Sequence, residues 1–179
     1  MGEPTEDLEE LFREHAQAVL GYAIRRGARP EDAGEILSEV MLVAWRRIDE
    51  VPRGPEARFW MLATARLAGA NQARSERRRT RLGQRLQSEL ESAPEPSDGP
   101  DDDLQGIVRA AIKVLPEADR EVLLLATWEE LRPSEIAQVL SIPPETARTR
   151  LHRARARLRA ELEPSLADEG RDAARKEAR

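Results

Sequence analysis

Residues 131–158 read LRPSEIAQVLSIPPETARTRLHRARARL. The stretch divides into two helical patterns with a tight break at Ser141-Ile142-Pro143. From Arg148 to Arg159 it carries six arginines and no acid. Residues three and four apart share a helix face. Ala147, Leu151, Ala154 and Leu158 therefore form an apolar face, expected to pack on the preceding helix, residues 133–140, through Ile136, Ala137 and Leu140. Arg148, Thr149, His152 and Arg153 form a polar one. A short helix, a turn and a basic helix is the pattern of a helix-turn-helix whose second helix enters the DNA major groove. Arginine can donate two hydrogen bonds to a guanine edge, and Thr or His can reach base edges or phosphate. Glu145 and Thr146 open the helix, where free backbone N–H groups favour a phosphate oxygen. Arg155, Arg157 and Arg159 lie further along and are expected to meet DNA backbone or solvent. A basic helix alone is often only a solvated face. Here the preceding helix, the turn and the clean apolar/basic division together point to nucleic acid.

The chain has 179 residues, room for one domain or two small ones. It is 40% hydrophobic and 3% aromatic, which suits helices packed through Leu, Ala, Val and Ile. The formal net charge of −5 conceals segregation. Arg74 to Arg85 holds six arginines against Glu76, whereas Leu86 to Gly106 holds seven acids and no base. Such a split says more about partners than the total does. There is no cysteine, which excludes disulfides, thiolate metal sites and cysteine nucleophiles. His15 and His152 each stand alone on helical patterns, so neither a metal site nor another cofactor is expected. No Gly-rich phosphate loop or nucleophile–base constellation appears, so no enzyme is expected. The acidic N-terminus has no apolar run, and no window reaches transmembrane length. The expectation is a cytoplasmic chain with no membrane insertion.

The chain reads as all-α, two small helical domains joined by a flexible acidic linker. Residues 5–82 form the first. One helix, about 5–26, places Leu8, Leu11, Phe12, His15, Val19 and Tyr22 on a stripe, and Gly27 and Pro30 close it. A second, about 31–49, has Leu37, Val40, Met41, Ala44 and Ile48 inward, with Glu35, Ser38, Glu39, Arg46 and Arg47 outward. After the loop Val51-Pro52-Arg53-Gly54-Pro55, a third helix carries Phe59, Leu62, Ala63, Leu67 and Ala70 inward and ends in a basic run. Trp45 and Trp60 read as core residues before they read as base-stacking platforms. Residues 83–103, rich in acid, Pro, Ser and Gly, read as the linker. Residues 104–162 hold two more helices and the helix-turn-helix, and 163–179 read as a disordered tail.

These residues resemble a known family. Leu115-Pro116-Glu117, Arg120 to Leu125, Trp128 to Leu131, Glu135-Ile136-Ala137, Ile142-Pro143 and Thr146 to Arg155 resemble region 4 of extracytoplasmic-function (ECF) sigma factors. Ala33 to Val40 with Ala44-Trp45-Arg46 resembles the core-polymerase-binding helix of region 2. Trp60-Met61-Leu62, Ala65-Arg66, Asn71-Gln72 and Arg74 resemble its promoter-melting helix. The resemblance implies a protein that binds core RNA polymerase, directs it to promoter DNA and helps open it. Arg148, Thr149, His152, Arg153 and Thr146 would meet the −35 element. Arg58, Trp60, Asn71, Arg74, Arg77 and Arg78 would handle the separated −10 strand. Glu35, Ser38 and Glu39 would face polymerase, and the acidic linker would thread toward the RNA exit path. The family admits an anti-sigma factor as a further partner. The competing reading is a stand-alone helix-turn-helix regulator. This chain departs from the family's pattern at four places, one of them the unusual loop Pro52-Arg53-Gly54-Pro55. Arg132 stands where an N-cap Ser or Thr is usual, offset by Pro133 and Glu135. Ser141 stands where Gly is usual, and Leu67 where the melting helix commonly has Asn.

Overall fold

The computed structural model describes residues 4–87 and 104–177. Every regular element among them is helical. The chain falls into two compact units, one made of residues 1–93 with the short piece 138–141, the other of residues 94–137 and 142–179.

The first unit contains α1 (Pro4–Arg25), α2 (Pro30–Arg46), a 3-10 turn (Ile48–Glu50) and α3 (Pro55–Gln87). Each α-helix packs on the other two. Val19 of α1, Val40 of α2, and Met61 and Leu62 of α3 are fully enclosed. Much of the remaining core is alanine: Ala23, Ala33, Ala44, Ala57, Ala65 and Ala68. The turn between α1 and α2 shows how sequence sets direction. Gly27 has φ +92°, a left-handed conformation that glycine adopts without Cβ strain. Its N–H donates to the Ile24 carbonyl at 2.9 Å, and the Ala28 N–H donates to that of Ala23 at 3.1 Å, a paired Schellman closure. Pro30 then supplies a helical φ to start α2.

The second unit contains α4 (Leu104–Val114), α5 (Glu117–Thr127), α6 (Pro133–Leu140) and α7 (Pro144–Glu177). Both α4 and α5 pack on α7. Ala111, Leu115, Val122, Leu123, Leu125, Ala147, Leu151 and Ala154 are buried. Two arginines bind the helices together. Arg120 of α5 donates to the carbonyls of Ile112 and Leu115, each at 3.0 Å, and to that of Lys113, capping the end of α4. Arg157 of α7 pairs with the buried Asp119 carboxylate of α5. Arg157 therefore serves the fold, contrary to the expectation that it meets DNA backbone or solvent.

Other expectations are corrected too. On α2, Val40 and Ala44 lie inward as expected, but Ala33 and Ile36 complete the buried stripe while Leu37, Met41 and, just beyond the helix, Ile48 are only half-buried. On α3 the stripe runs through Ala57, Met61, Leu62, Ala65 and Ala68, leaving Leu67 exposed and Phe59 half-buried. Phe12 is exposed as well. Alanine faces let helix backbones approach closely, and close packing there outweighs the larger side chains one position away. Trp45 is 47% exposed and so is not a core residue. Trp60 is half-buried. The helix α3 runs on to Gln87, into the stretch assigned to linker, and the rest of that stretch lies outside the described residues. Likewise α7 continues to Glu177 where a disordered tail was expected. Ala, Arg and Glu, all good helix formers, are frequent in that tail, and it extends a helix already begun, so it needs no new nucleus.

His15 lies in the first unit's core. Its Nε2 is enclosed without a hydrogen-bond partner and stands 3.7 Å from the Glu14 carboxylate. Burial pushes the imidazole below its ordinary value, Glu14 opposes the shift, and Arg58 adds to it. The unfolded chain therefore takes up the proton first as pH falls. Stability is full above the ordinary histidine pKa of about 6.5 and declines below it. Thermal melts between about pH 7.5 and pH 5 should show a larger loss for the wild type than for His15→Gln. Equal slopes would remove His15 as the cause.

Candidate nucleic-acid and polymerase interfaces

The helix-turn-helix is built from ordinary end chemistry. Arg132 occupies the N-cap of α6 and offers no capping side chain. Its backbone N–H instead donates to Glu135 Oε2 at 2.6 Å, the return half of a capping box, with Pro133 next in line. At the other end Ser141 has φ +52°. Its N–H donates to the Gln138 carbonyl at 3.2 Å, and the Ile142 N–H donates to that of Ala137 at 3.0 Å. This is the closure seen at Gly27, made by a residue with a Cβ. Pro143 and Pro144 then launch α7, with the Ala147 N–H donating to the Pro143 carbonyl at 3.1 Å.

The launch sets the phase of α7. Ala147, Leu151 and Ala154 are buried, and Leu158 is half-buried. Arg148, Thr149, His152 and Arg153 are all exposed together, and Thr146 is half-buried beside them. Glu145 and Arg148 are paired, a feature not expected from the sequence. Arg148 Nη1 donates to both carboxylate oxygens, at 2.9 and 3.0 Å. Their i, i+3 spacing was the available signal.

In the first unit, α3 presents one outward stripe at three- and four-residue steps: Trp60, Thr64, Leu67, Asn71 and Arg74. Trp60 and Thr64 are half-buried, and Leu67, Asn71 and Arg74 are exposed. Arg74 Nη2 donates to Asn71 Oδ1, so these two side chains act as one polar group. Arg58 is half-buried and close enough to His15 to oppose its protonation, which sets it apart from the exposed stripe. Arg77 and Arg78 lie on α3, but their side chains are outside the described ones.

On α2, Glu35, Ser38 and Glu39 are exposed along one face. The Ser38 hydroxyl donates to the Gly34 carbonyl at 2.9 Å. Two apolar residues extend the face, Leu42 and Trp45. Leu42 had not been singled out, although it follows Ser38 and Glu39 at helical spacing. Nor is Glu35 a free acid. Gln72 Nε2 of α3 donates to it at 3.0 Å and reaches Asp32 at 3.4 Å. Arg29 donates to Asp32 at 2.7 and 3.0 Å, holding that carboxyl below the usual range, and lies 3.7 Å from Glu76. This polar network joins α2 to α3, a pairing between helices that the sequence does not announce.

Among the described residues, no group of three or more His, Cys, Asp or Glu side chains could hold a metal ion. No helix among them is long and apolar enough to cross a membrane.

Residues 11–80 match the family described as Sigma-70 region 2, and residues 105–158 match Sigma-70, region 4. The chain is 30% identical over 169 residues to the RNA polymerase sigma-E factor of Streptomyces avermitilis, covering 88% of this chain and 86% of that protein. It is 28% identical over 156 residues to the ECF RNA polymerase sigma factor SigL of Mycobacterium tuberculosis, covering 86% of this chain and 87% of that one. Its fold is similar to the sigma factor RpoE of Bartonella quintana, solved in complex with the anti-sigma factor NepR. The TM-score is 0.61 at 23% identity, covering 88% of this chain and 98% of that chain.

The turn at Ser141 makes a stability prediction. Replacing a left-handed non-glycine residue by glycine removes Cβ strain of roughly 1 kcal/mol, partly offset by greater unfolded-state freedom. Ser141→Gly should therefore raise the melting temperature of the second unit, whereas Ser141→Val should lower it. A Gly variant that melts lower would show that the Ser side chain contributes more than its strain costs.

Proposed function

Because this chain belongs to the extracytoplasmic-function sigma factors of RNA polymerase, we propose a division of labour between its two units. The protein binds core polymerase and directs it to promoters. In our reading, residues 5–82 act as region 2 and residues 104–162 as region 4. Arg148, Thr149, His152 and Arg153 of α7 read the −35 element, with Thr146 near the backbone phosphates. The α3 stripe of Trp60, Asn71 and Arg74, with Arg77, Arg78 and Arg58 nearby, handles the opened −10 strand. Glu39 and Ser38, backed by Glu35, face polymerase.

The observation that carries the −35 assignment is the division on α7. Ala147, Leu151 and Ala154 are buried while four polar side chains between them stand exposed. A helix so anchored offers a fixed donor array to a groove, which is what base readout needs. Guanidinium groups alone would add affinity that falls steeply with salt and carries little sequence information. Unstacking a base costs on the order of a few kcal/mol, comparable to what a fitted surface on α3 returns. Two modest contacts joined in one polymerase complex gain by effective concentration. The modest net charge of −5 fits a chain whose DNA affinity is delegated to that complex. A stand-alone regulator is not favoured, since such a reading leaves the region 2 unit without a task.

Three further points belong to the proposal. The chain works without chemistry of its own, acts in the cytoplasm, and is open to control by an anti-sigma factor. The last rests on a structural neighbour that was solved in such a complex.

Run-off transcription with purified core polymerase tests the whole. The wild type should start at a defined promoter, and failure to bind core polymerase at any salt concentration would end the proposal. Arg148→Ala should weaken promoter recognition by about 1–3 kcal/mol and relax preference at one upstream base pair. Glu39→Arg should reduce polymerase binding while leaving helix content unchanged. An unaltered base preference in the first variant would show that α7 is placed in the wrong register.

A further inference from the structure

On the proposed DNA face of α7, Glu145 is the sole acid between Pro144 and Ala160. Both of its carboxylate oxygens engage Arg148, at 2.9 and 3.0 Å. Both side chains are mostly exposed, 77% for Glu145 and 67% for Arg148. An exposed pair one helical turn apart adds little to stability. An acid at this place also opposes DNA, because its charge repels the phosphates that the neighbouring arginines attract. Glu145 therefore subtracts from general DNA affinity, and what it returns to the fold is the modest gain of an acid in the first turn of a helix.

We propose that Glu145 is a positioning and specificity residue of the upstream-element reader, a role that rests on the assignment of this face to the −35 element. The geometry gives it two actions. It holds the Arg148 guanidinium near the start of α7, the part of a recognition helix that meets base edges. Held there, Arg148 is directed toward a guanine edge and is less free to pair with passing phosphates. The ionised carboxylate can only accept hydrogen bonds, and its oxygens have lone pairs beyond those that Arg148 uses. In the major groove it favours base pairs that present an amino group, cytosine N4 or adenine N6, and disfavours guanine O6/N7 and thymine O4. Glu145 thus exchanges non-specific attraction for discrimination at the base pair beside the one that Arg148 reads.

The test uses the full chain assembled with core polymerase on a promoter library randomised across the upstream element. Transcription from each member is ranked at several salt concentrations. Glu145→Ala should raise output from low-ranked members relative to the best by about fivefold or more. It should also steepen the logarithmic salt dependence by about one, as one more arginine becomes free for phosphate. Helix content should stay the same. An unchanged ranking, or an equal fall on every promoter, would overturn the proposal. Arg148→Ala in the same library separates two failures. If it flattens one position while Glu145→Ala changes nothing, the role of Glu145 alone is lost. If neither variant alters the ranking, the assignment of this face to the upstream element is lost with it.

Discussion

The seating of α7 on α4 and α5 is the constraint on which the second unit depends. Its buried edge is small, made of Ala147, Leu151 and Ala154, so the helices can approach closely. A small edge supplies limited hydrophobic stabilisation, on the order of 25 cal/mol per Å². Two charged groups add directional control. Arg157 meets the enclosed Asp119, and Arg120 closes the end of α4. An enclosed carboxylate that loses its partner is left with an uncompensated charge, so the Arg157–Asp119 pair favours this one seating of α7 on α5. The same contact, with the buried edge, holds the rotation of α7 that its start at Pro143-Pro144 sets.

Much of this was legible in the sequence, for reasons that differ between the units. The apolar and basic faces of α7 alternate at helical spacing in a stretch with little ambiguity, so its exposed and buried residues follow from counting. Helix ends were legible where their chemistry is local. Pro133 with Glu135 restores the N-terminus of α6, and Gly27 closes α1. The core of the first unit was harder to read. Three helices rich in alanine offer several faces of similar hydrophobicity, and the choice among them depends on how closely backbones pack. Hence Trp45 and Leu67 lie outside, where larger apolar groups would have been placed inside. Pairings across long separations were also hidden. Gln72 with Glu35 and Arg157 with Asp119 join positions 37 and 38 residues apart, and no local pattern announces them.

The two units solve one problem with opposite means. On α7 the exposed arginines stand on one side of a helix whose other side is seated in the core. On α3 the outward stripe mixes an indole, an exposed leucine and the Asn71–Arg74 pair, a surface that can accept both the flat face of a base and its phosphate. The polar network from Arg29 through Asp32 and Gln72 to Glu35 then ties this stripe to the face of α2.

The unbroken run of α3 from Pro55 to Gln87 also makes it a ruler. Fourteen positions separate Trp60 from Arg74, a rise of about 21 Å at 1.5 Å per residue. Length and bearing are locked together along such a rod. One inserted residue between these positions would turn the distal groups by about 100° relative to the proximal ones, given 3.6 residues per turn. A flexible loop would absorb such a change, but a helix converts it into a loss of alignment. The spacing between the aromatic and the cationic ends of this surface is therefore a quantity that the backbone itself keeps.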